Sequence, residues 1–497
     1  MQTRAARVAA ALIAPAALAA PLGGAGAQGF GLNEIGTCAI AKAGANTSAP
    51  CADATSLYWN PGAVATVPQG TSVYVGGSLI DISGRFRQDN TGRTFDGTPP
   101  TGVPPFVGFT VRTVPRLVLG LVGYVPYGLT SQWNDDFPGR FAAQKAALQT
   151  FYLQPTAAYE LVPGRLSVGA GAVAAYSRLE LRQALDFSTQ FAVAPNAANP
   201  AGVTFGQLGF ASGTEFGRAR VRGSGTGVGY NLGAHARLTN RISLGARYLS
   251  EVRIRYDEAD ATFTVSPRTG DVVFRGNDPL LAQLNPGRVA VGLPALGAGS
   301  TLADLVLPNF FPGRPLGPGQ TASARVDHPA QLQAGASYTG ARNTLSVEYA
   351  NIMYSTFDQL PVTFTTAEGT PNAALTRTVP EDYRDSHGVR VGGEHRTRGG
   401  VAGRLGFSYI RTPAPDQSVT PLLPDMDRYN FSAGVGVPLR GGRYVLDAGF
   451  LRVETEGRRG RTAERTTQTA AQTVSTLNNG FYELTANVFS VGLKARF

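Results

Sequence analysis

The chain has 497 residues and a formal net charge of +10, with Arg supplying nearly all of the positive side, since only Lys42, Lys145 and Lys494 are lysines. The arginines are spread along the chain rather than gathered into one stripe, which argues against a nucleic-acid surface. Beyond the N-terminus no stretch approaches the roughly 20 apolar residues of a spanning helix, which argues against a helical membrane protein.

The N-terminus begins with Arg4 and Arg7, followed by an Ala-rich apolar run from Val8 to Leu22 and a small-x-small site at Ala25-Gly26-Ala27. This pattern predicts a secretory signal peptide over 1–27, with the mature chain starting at Gln28. Without Arg4 and Arg7 the formal charge falls to about +8. An exported chain without spanning helices is periplasmic, secreted or a barrel in an outer membrane.

Residues 28–68 are rich in small side chains and hold both cysteines, Cys38 and Cys51. An oxidising compartment favours pairing them, and a loop this short gives about 3 kcal/mol in the chain-entropy picture. No further ligands stand nearby, so neither a metal nor a cofactor is expected.

From about Gly70 onward, period-two segments recur. Leu166, Val168, Ala170, Ala172, Ala174 and Tyr176 alternate with Ser167, Gly169 and Gly171; Ile242, Leu244, Ala246 and Tyr248 alternate with Ser243, Gly245 and Arg247. Leu405, Phe407 and Tyr409, then Tyr429 to Val437, then Tyr444 to Phe450, repeat the theme. The last residues, Phe489 to Phe497, alternate to the end of the chain. A strand with lipid on one face and a watery lumen on the other has this pattern.

Short turns near 113–115, 163–164, 239–240, 340–341, 398–399 and 440–442 alternate with long connections near 87–103, 133–147, 184–219, 267–321, 366–376, 415–427 and 459–480. Seven long and six short connections predict an all-β fold, a fourteen-stranded antiparallel transmembrane barrel over 69–497 with both ends on the short-turn side. Short turns lie in the periplasm and long loops outside in such barrels. The expected surroundings are outer-membrane lipid and lipopolysaccharide in a Gram-negative cell. Phe497 would present the C-terminal aromatic to the barrel-assembly machinery, and the barrel is expected to be a monomer. The 28–68 segment, left over at the periplasmic end, is predicted to form a compact plug.

Gly29-Phe-Gly-Leu-Asn-Glu34 and Ala54-Thr-Ser-Leu-Tyr-Trp-Asn-Pro-Gly-Ala63 resemble the N-terminal hatch of FadL-type transporters, with Asn60-Pro61-Gly62 where Asn-Pro-Ala is usual. Tyr127 to Arg140 looks like the third strand and its loop, and Arg247-Tyr-Leu-Ser-Glu-Val-Arg253 like Tyr-Arg-Ser-Glu-Val. Tyr354-Ser-Thr-Phe357 stands for Trp-Ser-x-Phe, and Leu423-Pro-Asp-Met-Asp-Arg428 for Pro-Asp-x-Asp-Arg. The family carries long-chain fatty acids, with relatives that carry aromatic hydrocarbons, across the outer membrane. The resemblance implies a fourteen-stranded barrel closed by a hatch that includes Phe30, Asn33, Asn60 and Pro61. It also implies capture among the outer loops, an interior pocket, and exit through a gap beside a kinked third strand.

Physical chemistry favours that route. Each methylene removed from water is worth about 0.8 kcal/mol, so a sixteen-carbon chain resists release into the periplasm by roughly 12 kcal/mol. The third strand is predicted from about Arg116 to Gln132, and Pro126 within it removes a ladder donor. Loop 133–147 reads as partly helical over Phe141–Leu148, and Phe137, Phe141 and Leu148 are expected to form an outer capture groove.

Alternation turns Arg247, Arg253 and Arg255 inward with Glu251 among them, either as carboxylate binders or as a self-satisfied charge ladder. Leu179 and Leu181 also face inward, followed by Gln183. Fatty-acid carriers can hold a basic residue near Gln183 and near Pro361, and both departures leave room for neutral hydrocarbons. His235 faces the lumen, and strand phase pairs no Ser with a His on the lipid face, so the chain is read as no enzyme. Gly223, Gly225, Gly227 and Gly229 read as strand rather than as a phosphate loop. Uptake of fatty acids is the first reading, hydrocarbon uptake the second and an adhesive barrel a remote third, which a plug argues against.

Overall fold

The computed structural model describes residues 29–32, 34–66, 70–193, 195, 201–290, 292–460 and 479–497. The expected signal peptide and Asn33 lie outside the described residues. The barrel strands are β1 (Thr71–Gln88), β2 (Pro105–Val114), β3 (Leu117–Gln132), β4 (Lys145–Val162), β5 (Leu166–Leu185) and β6 (Gly217–Arg237). Three interrupted strands follow: β7 (Ile242–Leu249, resumed as Val252–Val265), β8 (Gln320–His328, resumed as Gln331–Thr339) and β9 (Asn343–Ile352, resumed as Gln359–Thr365). The circuit ends with β10 (Arg377–Pro380, then Ser386–Arg396), β11 (Ala402–Ile410), β12 (Arg428–Leu439), β13 (Tyr444–Thr455) and β14 (Gly480–Arg496). Each pairs antiparallel with the next. β14 returns to β1 from Ser72↔Arg496 to Gln88↔Gly480, closing a fourteen-stranded barrel.

The outward residues explain where this barrel sits. Val168, Leu232, Leu244, Val347, Phe431 and Val491 are exposed on the outer wall, while Ser167, Gly245, Ser346, Ser432 and Ser490 between them face in. Tyr176, Tyr230, Tyr248, Tyr349, Tyr409 and Tyr429 lie toward the long loops, and Tyr159, Tyr338 and Tyr444 toward the short turns. These are the two aromatic girdles of an outer-membrane barrel. β5 alone has 20 residues, about twice the 9–11 needed to cross a bilayer, so the strands continue past the outer girdle.

There the alternation inverts. On β5, Arg178, Glu180 and Arg182 point outward, while Leu179 and Leu181 pack into the main apolar cluster with Leu148, Val221, Ile254, Tyr256 and Val362. β7 breaks at Ser250–Glu251, and the break shifts its phase by one residue. Arg247 faces in, but beyond the break Val252, Ile254 and Tyr256 are the buried set. Arg253 and Arg255 therefore point outward, contrary to the sequence expectation; Arg253 bonds Glu251 at 2.7 Å with its side chain 70% exposed. A one-residue irregularity exchanges the two faces of a strand.

The expected helix over Phe141–Leu148 is also corrected. A single 3₁₀ turn spans Pro138–Phe141, and β4 begins at Lys145. Lys145 pairs with Gln132 on one side and Arg182 on the other, so ladder bonds to two neighbours replace local helical ones.

The N-terminal segment lies inside the barrel. Cys38 and Cys51 are disulfide-bonded. Thr37 meets Ser490 of β14 at 2.8 Å, Gln154 of β4 donates to the Leu57 carbonyl at 2.8 Å, and His235 of β6 meets the Ser48 carbonyl at 3.1 Å. The backbone amides of Thr47 and Ser48 donate to Glu348 of β9 at 2.5 and 3.0 Å. Inward glycines make room for it: a Cβ at Gly169 of β5 would stand 2.4 Å from Pro61, and one at Gly406 of β11 2.3 Å from Lys42. Asn60 accepts from the Gly62 and Ala63 amides and donates to the carbonyl of Ala234 on β6, and Pro61 opens the 3₁₀ turn Pro61–Thr66, where a missing N–H is harmless.

Candidate functional site

The wall is incomplete beside β3. β2 starts only at Pro105 and follows β3 no further than Val107↔Gly123. Beyond that level the β3 edge from Tyr124 onward has no β2 partner among the described residues. The N-terminal segment takes its place: Leu32 donates to the Pro126 carbonyl and Gly128 donates to the Phe30 carbonyl, each at 2.8 Å, around the bridge Gly31↔Tyr127. On the other side of β3, Tyr124↔Tyr152 is followed by Tyr127↔Thr150, so Val125 and Pro126 bulge against Phe151 alone. The bulge bends the strand, and the proline at its centre offers no donor to either neighbour. Leu32, Ile80, Ile82, Val125 and Val488 cluster at this place, giving the gap apolar margins.

A small cavity of about 40 Å³ adjoins the gap. Ile82, Leu129, Trp133, Leu423, Tyr482 and Leu484 supply its apolar lining, and Gly29 of the N-terminal segment also lines it. Arg428 also lines it, ion-paired with Asp425.

Next to the gap, Phe30 is held in an aromatic socket. Its ring lies 5.9 Å from Tyr127, 5.8 Å from His328, 5.4 Å from Tyr354 and 5.3 Å from Phe357. Its amide donates to the Tyr354 hydroxyl at 3.2 Å. The socket is itself tied across the barrel: Tyr152 meets His328 Nδ1 at 3.0 Å, and Tyr127 donates to the Pro329 carbonyl at 2.7 Å. The sequence marks Tyr354 and Phe357 as a motif but gives them no task, and it gives no signal for His328.

The expected capture groove is packed shut. Phe137 is fully buried, stacked on Trp133 at 4.3 Å and edge-on to Phe86 at 5.3 Å. Phe141 is buried under the Arg140 guanidinium, 4.4 Å away. Leu148 is not in the loop but faces the lumen between Leu129 and Leu179. The three do not form one open surface, because stacking on the first turn of the loop buries Phe137 and the strand start at Lys145 carries Leu148 inward.

Of the arginines expected inside, Arg247 alone is there. It lies 4.1 Å over the Tyr58 ring and donates to Gln331 at 2.9 Å, so it serves the N-terminal segment. The arginine placed over the apolar lumen is Arg377, on the short outer piece of β10. It pairs with Val362, and Val379 on the same face pairs with Leu360; all three partners belong to or pack against the main apolar cluster. Residues paired across a ladder share a face, so Arg377 faces the lumen. Its guanidinium donates to Gln183 of β5 at 2.7 Å, bridging two strands that are not neighbours. It makes no ion pair among the described residues.

With this geometry in view, comparisons with known proteins agree. The sequence profile of the outer membrane protein transport protein family (OMPP1/FadL/TodX) matches residues 18–497. The chain is 25% identical over 461 residues to the long-chain fatty acid transport protein of Escherichia coli K12, covering 86% of this chain and 92% of that one. It is 24% identical over 441 residues to the 47 kDa outer membrane protein of Pasteurella multocida, covering 88% and 90%. The fold matches that of a Pseudomonas aeruginosa FadL homologue with TM-score 0.70 and 21% identity over 94% of this chain and 100% of that one. The toluene transporter TbuX of Ralstonia pickettii gives TM-score 0.59 and 16% identity over 95% and 99%. A barrel wall opened beside β3, an interior segment seated in the opening and a profile matched over almost the whole length place this chain in the OMPP1/FadL/TodX family of outer-membrane transport proteins.

Proposed function

We propose that the protein takes up long-chain monocarboxylic acids, moving them through the upper lumen and out sideways past β3, with the N-terminal segment as the hatch that opens the way. Arg377 carries the reading. An exposed guanidinium with no ion pair among the described residues, on the lumen face beside Val362 and bonded to Gln183, suits one carboxylate at the head of an apolar chain, and Arg presents its donors as a fork that fits a carboxylate. The apolar gap margins suit the tail, and the bonds from Phe30 and Leu32 to β3 are few enough to exchange when a ligand displaces Phe30 from its socket. The second reading, uptake of neutral aromatic hydrocarbons, draws on the apolar lining of the small cavity by the gap, whose arginine is already paired with Asp425.

Arg377→Gln separates the two. In cells lacking their own carriers, uptake of a sixteen-carbon acid should fall by about tenfold or more, because a hydrogen bond to a charged group is worth about 1.5–3 kcal/mol and 1.4 kcal/mol is tenfold. Toluene uptake should not change. Undiminished acid uptake would reject the carboxylate role. The sideways route has its own check, a Val125→Cys, Ile80→Cys pair across the gap margin. Oxidation should stop uptake and reduction restore it, and equal uptake in both states would send the ligand elsewhere.

A further inference from the structure

Above the tyrosine girdle the outer wall is not uniform. On β4, β5 and β6, the outward residues past Tyr176 are Lys145, Arg178, Arg182, Arg220 and Arg222 around one carboxylate, Glu180. Glu180 receives Lys145 at 3.1 Å, Arg182 at 2.6 Å, Arg220 at 3.2 Å and Arg222 at 3.4 Å. Arg178 lies 5.5 Å from the Tyr176 ring centre and donates to its hydroxyl at 3.3 Å. Five cations share Glu180, among the described residues only Arg222 has a further acid, Asp260, opposite it across the ladder, and the side chains of Arg182, Arg220 and Arg222 are 43%, 40% and 61% exposed. Asp257, Glu258 and Asp260 of β7 border this patch on one side.

The corresponding level on the far side of the barrel is mixed, with Arg384, Arg411 and Arg458 beside Asp385, Asp427 and Glu456. There Tyr409 and Tyr429 donate their hydroxyls to Asp427 and Glu456, and Glu454 takes Arg452. On that side each cation has an acid beside it, whereas on β4–β6 five cations share Glu180.

Beneath the patch the outward row of β5 is Tyr176 and then Ala174, Ala172 and Ala170, a small apolar track on the lipid side. Eight residues separate Ala170 from Arg178, about 27 Å of strand at 3.4 Å per residue.

We propose that the outer wall of β4–β6 is a docking site for a phosphorylated glycolipid of the outer leaflet, with its phosphate on the arginines and an acyl chain along the alanine row. Charge complementarity selects this occupant. A phosphate brings close to two negative charges and three acceptor oxygens, and Arg forks bind such groups two bonds at a time. Glu180 fixes three of the arginines and Lys145 around itself, so their remaining donors are oriented before any lipid arrives. The patch starts two residues past the girdle, where a lipid headgroup begins.

The test uses the full-length protein in non-ionic detergent, with bis-phosphorylated lipid A, fully dephosphorylated lipid A and inorganic phosphate as probes. The variant is R178Q/R222Q, which leaves Lys145, Arg182 and Arg220 on Glu180; R384Q/R411Q, on the outer wall near β10 and β11, is the control. Lipid A binding should weaken by about tenfold or more in the first variant, the loss of roughly one charge-assisted bond, and by less than about twofold in the control. Dephosphorylated lipid A should bind the unmodified protein as weakly as phosphorylated lipid A binds the variant. Inorganic phosphate at the concentration of the lipid should displace nothing, which separates a lipid site from a free-phosphate site. Equal binding to both variants, equal binding of both lipids, or displacement by phosphate would each overturn the proposal. If R178Q/R222Q fails to fold, R178Q alone decides, since Arg178 makes no ion pair among the described residues.

Discussion

Below the outer girdle β5 turns Val168 and Ala170 to lipid and Ser167 and Gly169 inward; above it the same strand turns Arg178 and Glu180 outward and Leu179 and Leu181 inward. The two halves of the barrel bury opposite faces. In the lower half the membrane takes the apolar side, so the inner wall is free to be small and polar. That lets a backbone pack against it with hydrogen bonds, as Thr47, Ser48 and Asn60 do. In the upper half water surrounds the wall, so the apolar residues go inside, and the lumen becomes a surface an apolar ligand can wet. The difference favours the sideways path proposed above. A chain entering the upper lumen meets a polar, filled lower lumen below it and apolar margins at Val125, Ile80 and Leu32 beside it.

The largest expected effect lies in the lower half. Glu348→Ala strips the acceptor from two buried amides, and each orphaned amide costs about 1–3 kcal/mol. The N-terminal segment should undock while the barrel wall persists, raising ion conductance in planar bilayers without loss of barrel signal in far-ultraviolet circular dichroism. Unchanged conductance would mean that the segment is held by its other contacts alone. A smaller effect tests the inversion on one strand. Val347→Arg, on the lipid face of β9, should destabilise the barrel by about 2–4 kcal/mol. Thr363→Arg, outward on the same strand above the girdle, should stay within about 0.5 kcal/mol. Equal losses in urea unfolding from vesicles would place Thr363 in the membrane and break the comparison.

The strand count, the closure and the signature at Asn60-Pro61 were legible because turn spacing and period-two alternation are local properties. The face that each residue takes was legible only below the girdle. Alternation separates Val252, Ile254 and Tyr256 from Arg253 and Arg255 but does not say which set is inside. That depends on whether lipid or water lies beyond the wall, and on the Ser250–Glu251 break that no local pattern announces. Arg377 was hidden for a related reason. It sits on a four-residue strand directly after the 366–376 connection, and only pairing with Val362 gives it a face. The outer loops were read as connections, yet Phe205, Phe216, Phe274, Leu284 and Leu302 form a core of their own, assembled from segments too far apart in sequence to show a period.

That loop core depends on one carboxylate, which gives the smallest and most specific prediction. Glu215 lies in the connection after β5 with its side chain almost wholly buried; it accepts from Arg140 of the β3–β4 loop, Arg218 at the start of β6 and Ser266 at the end of β7, each at 2.8 Å. Burial alone would push its pKa up, but the bonds from Arg218, Ser266 and Arg140 outweigh that and hold it below the ordinary 4.5. A lowered carboxylate adds stability that is complete above its unfolded pKa and fades as pH drops through the folded value. The loops should therefore be equally protected at pH 7 and pH 5, and loosen progressively below about 4.5. Glu215→Gln keeps the shape but removes the charge, at a cost of about 1.5–3 kcal/mol for hydrogen bonds to a charged group. Hydrogen exchange in the 133–147 and 184–219 loops should then be raised at pH 7 and no longer accelerate on acidification beyond its intrinsic pH dependence. Faster exchange of the barrel strands as well would tie the two halves together, and the separation drawn between them would not survive it.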